Sequence, residues 1–341
     1  MKIESIPSFT SINPLQYPGG TLREMTSLDF PFIPNMASAL IDLEAGGLRI
    51  LHWHNTAAEI GFVVNGQALL TVVDGNNNTE ICTINEGDIY YVPIGLAHSL
   101  ACLGNDPCKI VAVYDDGTTV ESNGFNATDW IKAESVHILF AALELPGELL
   151  KQSVMDIPLI TKNQPLLFAP TQSHGLTARS PKSFCFPLTQ MPPVASSGGT
   201  FVQASRQDFP MSSTMIASLT VLNPGGIREP HWHPDSDEWD FVISGRARIT
   251  QFEGENNFGS VEVGPGDVGY LKKNAAHSVE NIGDEPFRLL SVFNTDTFQA
   301  INISAMLIAT PDEMLMRNFG LGKADAVRIT MKKKFIINAN H

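Results

Sequence analysis

The sequence has few of the features that mark membrane, secreted or nucleic-acid-binding proteins. The 341 residues include only four cysteines, which form neither a CxxC pair nor a zinc spacing. We therefore predict free, buried thiols in a reducing compartment. No apolar run approaches the roughly 20 residues of a membrane helix, and the N-terminal segment lacks a basic start and an apolar core. These absences predict a cytoplasmic protein with no membrane partner.

Positive charge is also scarce. The chain has 22 Lys and Arg against 36 Asp and Glu, which gives a formal net charge of -14. Because no basic stripe is available to neutralise phosphates, we expect no nucleic-acid partner. An anionic ligand would have to be attracted by local positive groups, since the overall field repels it.

The chain repeats itself with an offset of 179 residues. His52-Trp53-His54 recurs as His231-Trp232-His233. The repeat needs no insertion or deletion from about residue 19 to 107, and the same offset relates further pairs: Arg49 and Arg228, Glu59 and Glu238, Gly66 and Gly245, and His98 and His277. A repeat of this kind indicates a duplicated domain.

Short apolar runs alternate with turn residues within each copy. Residues 61–64 and 67–73 are typical of β-strands, and the tight-turn pair Asn65-Gly66 separates them. The 27 glycines and 22 prolines also favour short strands over long helices. The pattern predicts an all-β-dominated fold of two tandem barrels, with helical stretches at about 128–144 and 303–317.

Two domains follow from this pattern. We place the N-terminal domain at residues 1–150, with a barrel at about 19–115, a loop at 116–124 and then a short helical lobe. The second domain spans 151–341. It begins with a connection rich in Pro, Ser and Gln, followed by a barrel at about 198–295 and a second helical lobe.

The repeated histidines and glutamate predict a metal site in each copy. Residues two apart in a strand point to the same side, so His52 and His54 can face one interior, where Glu59 and His98 complete the set. A lone HxH is more often a structural pair, but two complete sets in register favour metal binding. The second set is His231, His233, Glu238 and His277.

The donor set constrains the metal. Three nitrogens and one oxygen without thiolate suit Mn, Fe, Ni, Co or Zn. Two open octahedral positions would accept a substrate or O₂, and they favour Mn or Fe over tetrahedral zinc.

These residues follow the cupin pattern, and further motifs resemble one family of cupins. Arg-x-x-His-Trp-His in both halves, with Asp115-Asp116-Gly117 and Thr128-Asp129-Trp130, is similar to the bacterial and fungal oxalate decarboxylases. The resemblance covers nearly the whole chain. It implies a bicupin of two double-stranded β-helix (jelly-roll) barrels with Mn²⁺ in both sites. It also implies an O₂-dependent split of oxalate to formate and CO₂, and a homo-oligomer, either a trimer or a hexamer.

The resemblance also implies two catalytic residues. The family's mobile lid reads Ser-Glu-Asn-Ser-Thr, and the equivalent run, 120–124, keeps Glu121 as the proton-handling residue. Otherwise a loop glutamate is often only solvated. The resemblance assigns substrate carboxylate binding to Arg49, with Arg228 as its counterpart. Because Arg49 is three residues from His52, it needs a bulge or a pre-strand position to face inward, and the alternative is a surface arginine.

The two copies are not equivalent. The offset carries Glu121 to Ala300, and Ser291-Val292-Phe293 stands where the family has a glutamate. We therefore expect chemistry at the first site and a structural or electron-tuning role at the second. Two alternatives stay open: an oxidase or dioxygenase acting on oxalate or another small carboxylate, and a non-catalytic metal-binding or storage bicupin.

Overall fold

The computed structural model describes residues 7–76, 78–167, 183–254, 257–329 and 335–338. The chain divides into two compact units. The N-terminal unit comprises Ile12–Thr189 and Arg206–Thr214, and the C-terminal unit comprises Met1–Ser11, Gln190–Ser205 and Met215–His341. Of the predicted connection, residues 168–182 lie outside the described residues.

The N-terminal unit is built mainly from short strands. These are β1 (Leu15–Tyr17), β2 (Gly20–Met25), β3 (Ala37–Leu43), β4 (Gly47–Trp53), β5 (Glu59–Asn65), β6 (Gln67–Val73), β7 (Thr79–Asn85), β8 (Ile89–Val92), β9 (Ala97–Cys102), β10 (Cys108–Tyr114), β11 (Phe125–Asn126), β12 (Ile160–Lys162) and β13 (Cys185–Phe186). Three helices follow β11: α1 (Ala127–Ala133), α2 (Val136–Leu143) and α3 (Gly147–Val154). The first two cover the helical stretch predicted at about 128–144, and α3 lies beyond it.

Two antiparallel sheets make the barrel of this unit. One has the order β1-β2-β3-β10-β5-β8-β13, and the other has the order β11-β4-β9-β6-β7 with β12 also paired to β4. Apolar side chains of both sheets, such as Val63, Leu70, Leu100 and Ala112, form the core. This is the predicted jelly-roll arrangement.

The boundary between the units differs from the prediction near residue 150. β12 pairs with β4, and β13 pairs with β8, so these two short strands, which lie beyond residue 150, belong to the N-terminal unit. Sequence composition identified this stretch only as a connection, because its strands are two or three residues long.

The C-terminal unit repeats the plan. Its strands are β14 (Val194–Ser196), β15 (Gly199–Ala204), β16 (Ile216–Leu222), β17 (Gly226–Trp232), β18 (Glu238–Ser244), β19 (Ala247–Phe252), β20 (Phe258–Val263), β21 (Val268–Leu271), β22 (Ala276–Asn281), β23 (Phe287–Phe293), β24 (Ile301–Asn302) and β25 (Ile336–Asn338). They form sheets β14-β15-β16-β23-β18-β21 and β20-β19-β22-β17-β24, with β25 on β17. The trailing helices are α4 (Ile303–Ala309), α5 (Asp312–Phe319) and α6 (Lys323–Ile329). Short 3-10 helices lie at Phe9–Ser11, Glu121–Asn123 and Leu188–Gln190.

A bulge in β4 decides which side chains face the interior. The pairing of β4 with β9 joins Arg49 to Leu100 and His52 to His98, so three steps on one strand oppose two on the other. The extra residue lets both Arg49 and His52 point inward, while Leu51 between them is exposed. β17 has the same irregularity between Arg228 and His231. Arg49 is fully buried, so of the arrangements that the sequence allowed, a bulge, a pre-strand position or a surface arginine, the structure has the bulge.

A disulfide joins Cys82 in β7 to Cys185 in β13. The prediction of free thiols is wrong for this pair, because the chain returns 103 residues later to lay β13 beside the β7 edge, which no local spacing reveals. Cys102 and Cys108 are free and buried, as predicted.

Reduction of this disulfide is expected to destabilise the N-terminal unit. A cross-link that closes a loop of about 100 residues restricts the denatured chain by roughly 4 to 5 kcal/mol. Denaturant unfolding with and without reductant measures the difference. A Cys82→Ser variant is the control, since it should unfold like the reduced protein and ignore reductant. Identical unfolding of the wild type in both conditions would contradict the expectation.

Candidate metal centres

The first cluster of predicted ligands lies between the two sheets of the N-terminal unit. His52 is in β4, His54 directly follows that strand, Glu59 begins β5 and His98 is in β9; all four are buried. Their ligand atoms lie within 4.8 Å of one another. Glu59 Oε2 is 3.0 Å from His54 Nε2 and 3.1 Å from His98 Nε2. The predicted four residues therefore converge on one point.

Backbone carbonyls orient the imidazoles of this cluster. Nδ1 of His52 lies 2.8 Å from the Ile50 carbonyl, and Nδ1 of His98 lies 3.0 Å from the Leu96 carbonyl. Since a carbonyl only accepts hydrogen bonds, each Nδ1 carries the proton and each Nε2 presents a lone pair to the centre. Nε2 of His52 is buried and makes no hydrogen bond within the described chain. An orphaned lone pair at this point fits a metal ion.

The second cluster has the same construction. Glu238 Oε2 lies 3.1 Å from His233 Nε2 and 3.0 Å from His277 Nε2. Nδ1 of each histidine meets a backbone carbonyl, at 2.8 Å for His231, 2.6 Å for His233 and 3.0 Å for His277. Among the described residues, Glu238 Oε2 and the Nε2 atoms of His233 and His277 have no hydrogen-bond partner. Both clusters therefore fit a divalent metal bound by three imidazoles and one carboxylate.

The surroundings of the first cluster set the protonation states of its ligands. Burial, with the neighbouring Arg49 guanidinium and His98 imidazole, lowers the pKa of His52 to about 3, so its imidazole stays neutral. Burial alone would raise the pKa of Glu59, but the contacts of its carboxylate with His98 and His54 outweigh burial and hold that pKa well below its usual range. A neutral His52 imidazole beside an ionised Glu59 carboxylate matches the protonation states that metal binding requires. Burial alone would lower the pKa of His54, but its hydrogen bond with Glu59 and the charges of Glu121 and Glu59 outweigh burial and raise that pKa, so a cation must displace a proton there.

Glu121 lies inside the first site, although the sequence leaves a solvated loop glutamate as an alternative. Its side chain is buried. Arg49 Nε donates to Oε1 at 2.7 Å, and the Tyr114 hydroxyl donates to Oε2 at 2.7 Å. The same two oxygens lie 3.4 Å from His52 Nε2 and 3.3 Å from His54 Nε2. The solvated alternative is therefore wrong, and the loop carboxylate borders the metal ligands.

The charge state of Glu121 follows from these neighbours. Burial would raise its pKa, but the Arg49 guanidinium and the contacts with the His52 and His54 imidazoles outweigh burial and hold the pKa well below the usual range. The loop itself is tied down by the next residue: Ser122 donates its backbone N–H and its hydroxyl to the Glu24 carboxylate, at 2.7 and 2.8 Å. Glu121 is thus an ionised group on an anchored loop.

Arg228 has different neighbours in the second site. Its Nη1 donates to Asn302 Oδ1 at 2.7 Å, and its guanidinium lies 3.7 Å from the ring centroid of Phe335. Burial lowers its pKa to about 10. The ring of Phe298 lies 5.4 Å from that of His233, and the cavity left beside the ligands measures about 10 Å³. That volume holds about one water molecule.

The geometry of both clusters agrees with the proteins to which this chain is similar. Residues 9–149 and 187–326 each match the cupin family. The chain is 33% identical over 321 residues to oxalate decarboxylase OxdC of Bacillus subtilis (strain 168), covering 93% of this chain and 82% of that protein. This chain is a bicupin of the oxalate decarboxylase family. A probable oxalate decarboxylase of Arthroderma benhamiae is 29% identical to the bicupin over 325 residues, covering 94% of this chain and 80% of that protein.

Solved structures support the same assignment for the bicupin. A structure of the Bacillus subtilis oxalate decarboxylase, described for its Mn(II) centres, has a TM-score of 0.90 at 30% identity, and covers 99% of this chain and 90% of that chain. The predicted family and fold are confirmed. No helix of the described residues is long and apolar enough to cross a membrane. The cytoplasmic location stays a prediction.

Several residues around the bicupin's sites were missed by the sequence reasoning. Tyr114 and Glu24 hold the loop, Tyr90 donates to Glu59 Oε1 at 2.5 Å, and Phe298 fills the second site. None of them belongs to a motif. For Tyr90 the sequence did contain a signal: the 179-residue offset relates it to Gly269, so a large polar side chain is present in one copy and absent from the other.

Proposed function

We propose that the bicupin is a manganese-dependent carboxy-lyase that splits oxalate into formate and CO₂, with O₂ as a cofactor, at its N-terminal site. The observation that carries this proposal is the buried Glu121 carboxylate, bonded to Arg49 and bordering the first cluster. A storage protein would need the metal ligands alone. An additional ionised group beside an arginine is instead typical of acid-base chemistry on a small anion.

Each cluster would hold one Mn²⁺. The proposed ligands are His52, His54, Glu59 and His98 in the first site, and His231, His233, Glu238 and His277 in the second. A bound manganese ion would supply a Lewis acid and, once oxidised by O₂ to the Mn³⁺ level, a one-electron acceptor for the substrate.

Arg49 is the proposed binding group for the oxalate carboxylate that lies away from the metal. Its Nη1 donates to Asn126 Oδ1 at 3.0 Å, which fixes the plane of the guanidinium. Nε and Nη2 point at Glu121, at its Oε1 and its backbone carbonyl. A carboxylate of oxalate presents the same pair of acceptors and can take the place of the Glu121 carboxylate on the guanidinium.

Glu121 is the proposed proton carrier. Ionised at rest, it accepts the proton of the oxalate monoanion on a carboxylate oxygen. After CO₂ departs, it returns that proton to the carbon of the remaining one-carbon fragment, which becomes formate. Tyr114 and the Ser122–Glu24 contact keep the carboxylate near the reacting carbon. This anchoring favours proton return over an oxidase outcome, in which the unprotonated fragment is oxidised to CO₂ with formation of peroxide.

The second site is the proposed structural or electron-tuning site. Phe298 and a cavity of about 10 Å³ leave no room for oxalate unless that side chain moves. Arg228, expected from the sequence to bind substrate, would here offset the negative charge of Glu238. Burial lowers the pKa of Arg228, and the charge of Glu238 partly counteracts that lowering.

The proposed assembly is a homo-oligomer, a trimer or hexamer. Helix α2 is almost wholly apolar, yet Ile138, Phe140 and Leu143 are each about half exposed. Apolar surface of this density is typical of an interface between subunits. Light scattering should give three or six times the chain mass of 37.1 kDa. A mass of one chain would contradict the proposal.

One assay tests the function directly. The protein is loaded with Mn²⁺ and given oxalate in air, and formate, peroxide and bound metal are measured on the same sample. We expect formate and CO₂ in equal amounts with two metals per chain. Peroxide without formate would replace the decarboxylase by an oxidase, and no turnover with both metals bound would favour a storage protein.

A further inference from the structure

Two facing positions exchange their residues between the copies. In the N-terminal unit, Gly61 of β5 pairs with Tyr90 of β8. In the C-terminal unit, Asp240 of β18 pairs with Gly269 of β21. The repeat offset relates Gly61 to Asp240 and Tyr90 to Gly269. Each copy thus has one glycine and one polar side chain at this pair, on opposite strands.

The glycine of each pair provides space for the side chain across from it. A Cβ atom on Gly61 would lie 2.0 Å from Cε1 and Cζ of Tyr90, so no larger residue fits there. A Cβ atom on Gly269 would lie 3.2 Å from Cβ of Asp240, which is tighter than ordinary contact. The exchange is therefore a matched change of two positions.

Tyr90 contacts the glutamate of its ligand cluster directly, and Asp240 lies close enough for the charge of Glu238 to influence it. Tyr90 is fully buried, and its hydroxyl donates to Glu59 Oε1 at 2.5 Å. Asp240 is fully buried two residues along β18 from Glu238, and it accepts the Ser291 hydroxyl at 2.5 Å. A polar group at this position is retained in both copies, although its chemical type and its strand differ.

The two oxygens of Glu59 consequently have separate partners. Oε2 faces His54 and His98 at 3.0 and 3.1 Å, on the side where the ligand atoms converge. Oε1 instead accepts the Tyr90 hydroxyl, which is its only partner among the hydrogen bonds of the described chain. A carboxylate held by one oxygen in this way cannot rotate about its Cγ–Cδ bond without losing a buried hydrogen bond.

We propose that Tyr90 is a positioning residue for the first metal site, which orients the Glu59 carboxylate so that only Oε2 is presented to the metal. The inference rests on metal binding at that site, which is part of the proposed function. Tyr90 acts through Glu59 and contacts neither the substrate nor the metal. Hydrogen bonds to metal-bound carboxylates of this kind commonly change metal affinity by 10- to 100-fold.

Tyr90→Phe tests the proposal, because it removes the hydroxyl and keeps the ring in the core. The measurement is made in a His277→Ala background, so that bound Mn²⁺ reports on the first site. Chelator competition gives the dissociation constant, and electron paramagnetic resonance reports the symmetry of the bound ion. We expect the dissociation constant to rise by about 10- to 100-fold and the resonance spectrum to change.

Tyr91→Phe is the matched control. Tyr91 is the next residue of β8, equally buried, and its hydroxyl lies 2.8 Å from Thr214 Oγ1 instead of a ligand. It should leave affinity and spectrum unchanged. 4-Aminophenylalanine at position 90 restores an N–H donor on the same ring and should return the dissociation constant to near the parent value, which also separates the hydrogen bond from any loss of folding.

The outcomes separate this proposal from the proposed function. Unchanged affinity and spectrum in Tyr90→Phe would overturn the role of Tyr90, even if the wild type makes formate. Equal weakening by Tyr91→Phe would also overturn it, since the effect would then be general packing. A weakened first site in Tyr90→Phe supports the role of Tyr90, even if the wild type leaves oxalate unchanged. Failure of the parent variant to bind Mn²⁺ would overturn both.

Discussion

Replacing Glu121 with glutamine is expected to lower formate production by roughly a hundredfold to ten-thousandfold, the contribution of a positioned acid-base group. Glutamine keeps the size of the side chain and can still accept a hydrogen bond from Arg49. It cannot take up a proton from oxalate or return one to carbon. The loss should fall on kcat with both metals retained, and it is measured from formate release and metal content of the same sample.

The same variant should release part of its product as peroxide, because a fragment that receives no proton remains open to oxidation by O₂. Glu148→Gln is the control: Glu148 is an exposed residue in the first turn of α3, and the same chemical change there should leave formate production unaltered. Wild-type formate production by Glu121→Gln would exclude Glu121 as the proton carrier.

Removing one ligand from each site is expected to have very unequal effects on turnover. His98 and His277 are equivalent in the repeat, and each borders the glutamate of its own cluster. His98→Ala and His277→Ala should each lose one of the two bound metals. His98→Ala should lower oxalate turnover by at least about a thousandfold. A metal contributes several kcal/mol of transition-state stabilisation, and each loss of about 1.4 kcal/mol lowers the rate tenfold.

His277→Ala should keep most of the turnover and lose thermal stability, because a metal that binds only the folded unit stabilises it. Metal analysis, oxalate turnover and thermal unfolding of the two variants form one comparison. Loss of turnover in His277→Ala with the first metal still bound would contradict a purely structural second site and favour an electron-tuning role.

The sequence predicted the ligands because the repeat preserved them in register. His52-x-His54 and His231-x-His233 each place two histidines on one face of a strand. Glu59 and His98 recur at the same offset, which makes a chance match of the full set implausible. Arg49 could be assigned only conditionally, since strict alternation points it away from His52. The bulge between them resolved that conflict, and it could not be predicted because it depends on pairing with β9.

Other features depend on contacts between strands that are distant in sequence. Tyr90 meets Glu59 because β8 pairs with β5, and Cys82 meets Cys185 because β13 closes the sheet edge. Neither contact leaves a local pattern. Comparison of the two copies showed that Ala300 replaces Glu121, so the loss of the carboxylate could be predicted. Phe298 lies two residues before Ala300, and its position beside His233 in the second site could not be predicted from that comparison.

The bulge in β4 divides that strand into two segments whose alternation of inward and outward side chains is set separately. Arg49, the proposed anion-binding residue, lies on one side of the bulge, and His52 and His54, the proposed metal ligands, lie on the other. The supernumerary residue is exposed in both copies, Leu51 in one and Pro230 in the other, and proline is tolerated there because the ladder requires no N–H at a bulge. Mutations can therefore change the anion-binding half during evolution without altering the register of the cation-binding half, so a duplicated barrel can acquire a new ligand preference while it keeps its ion.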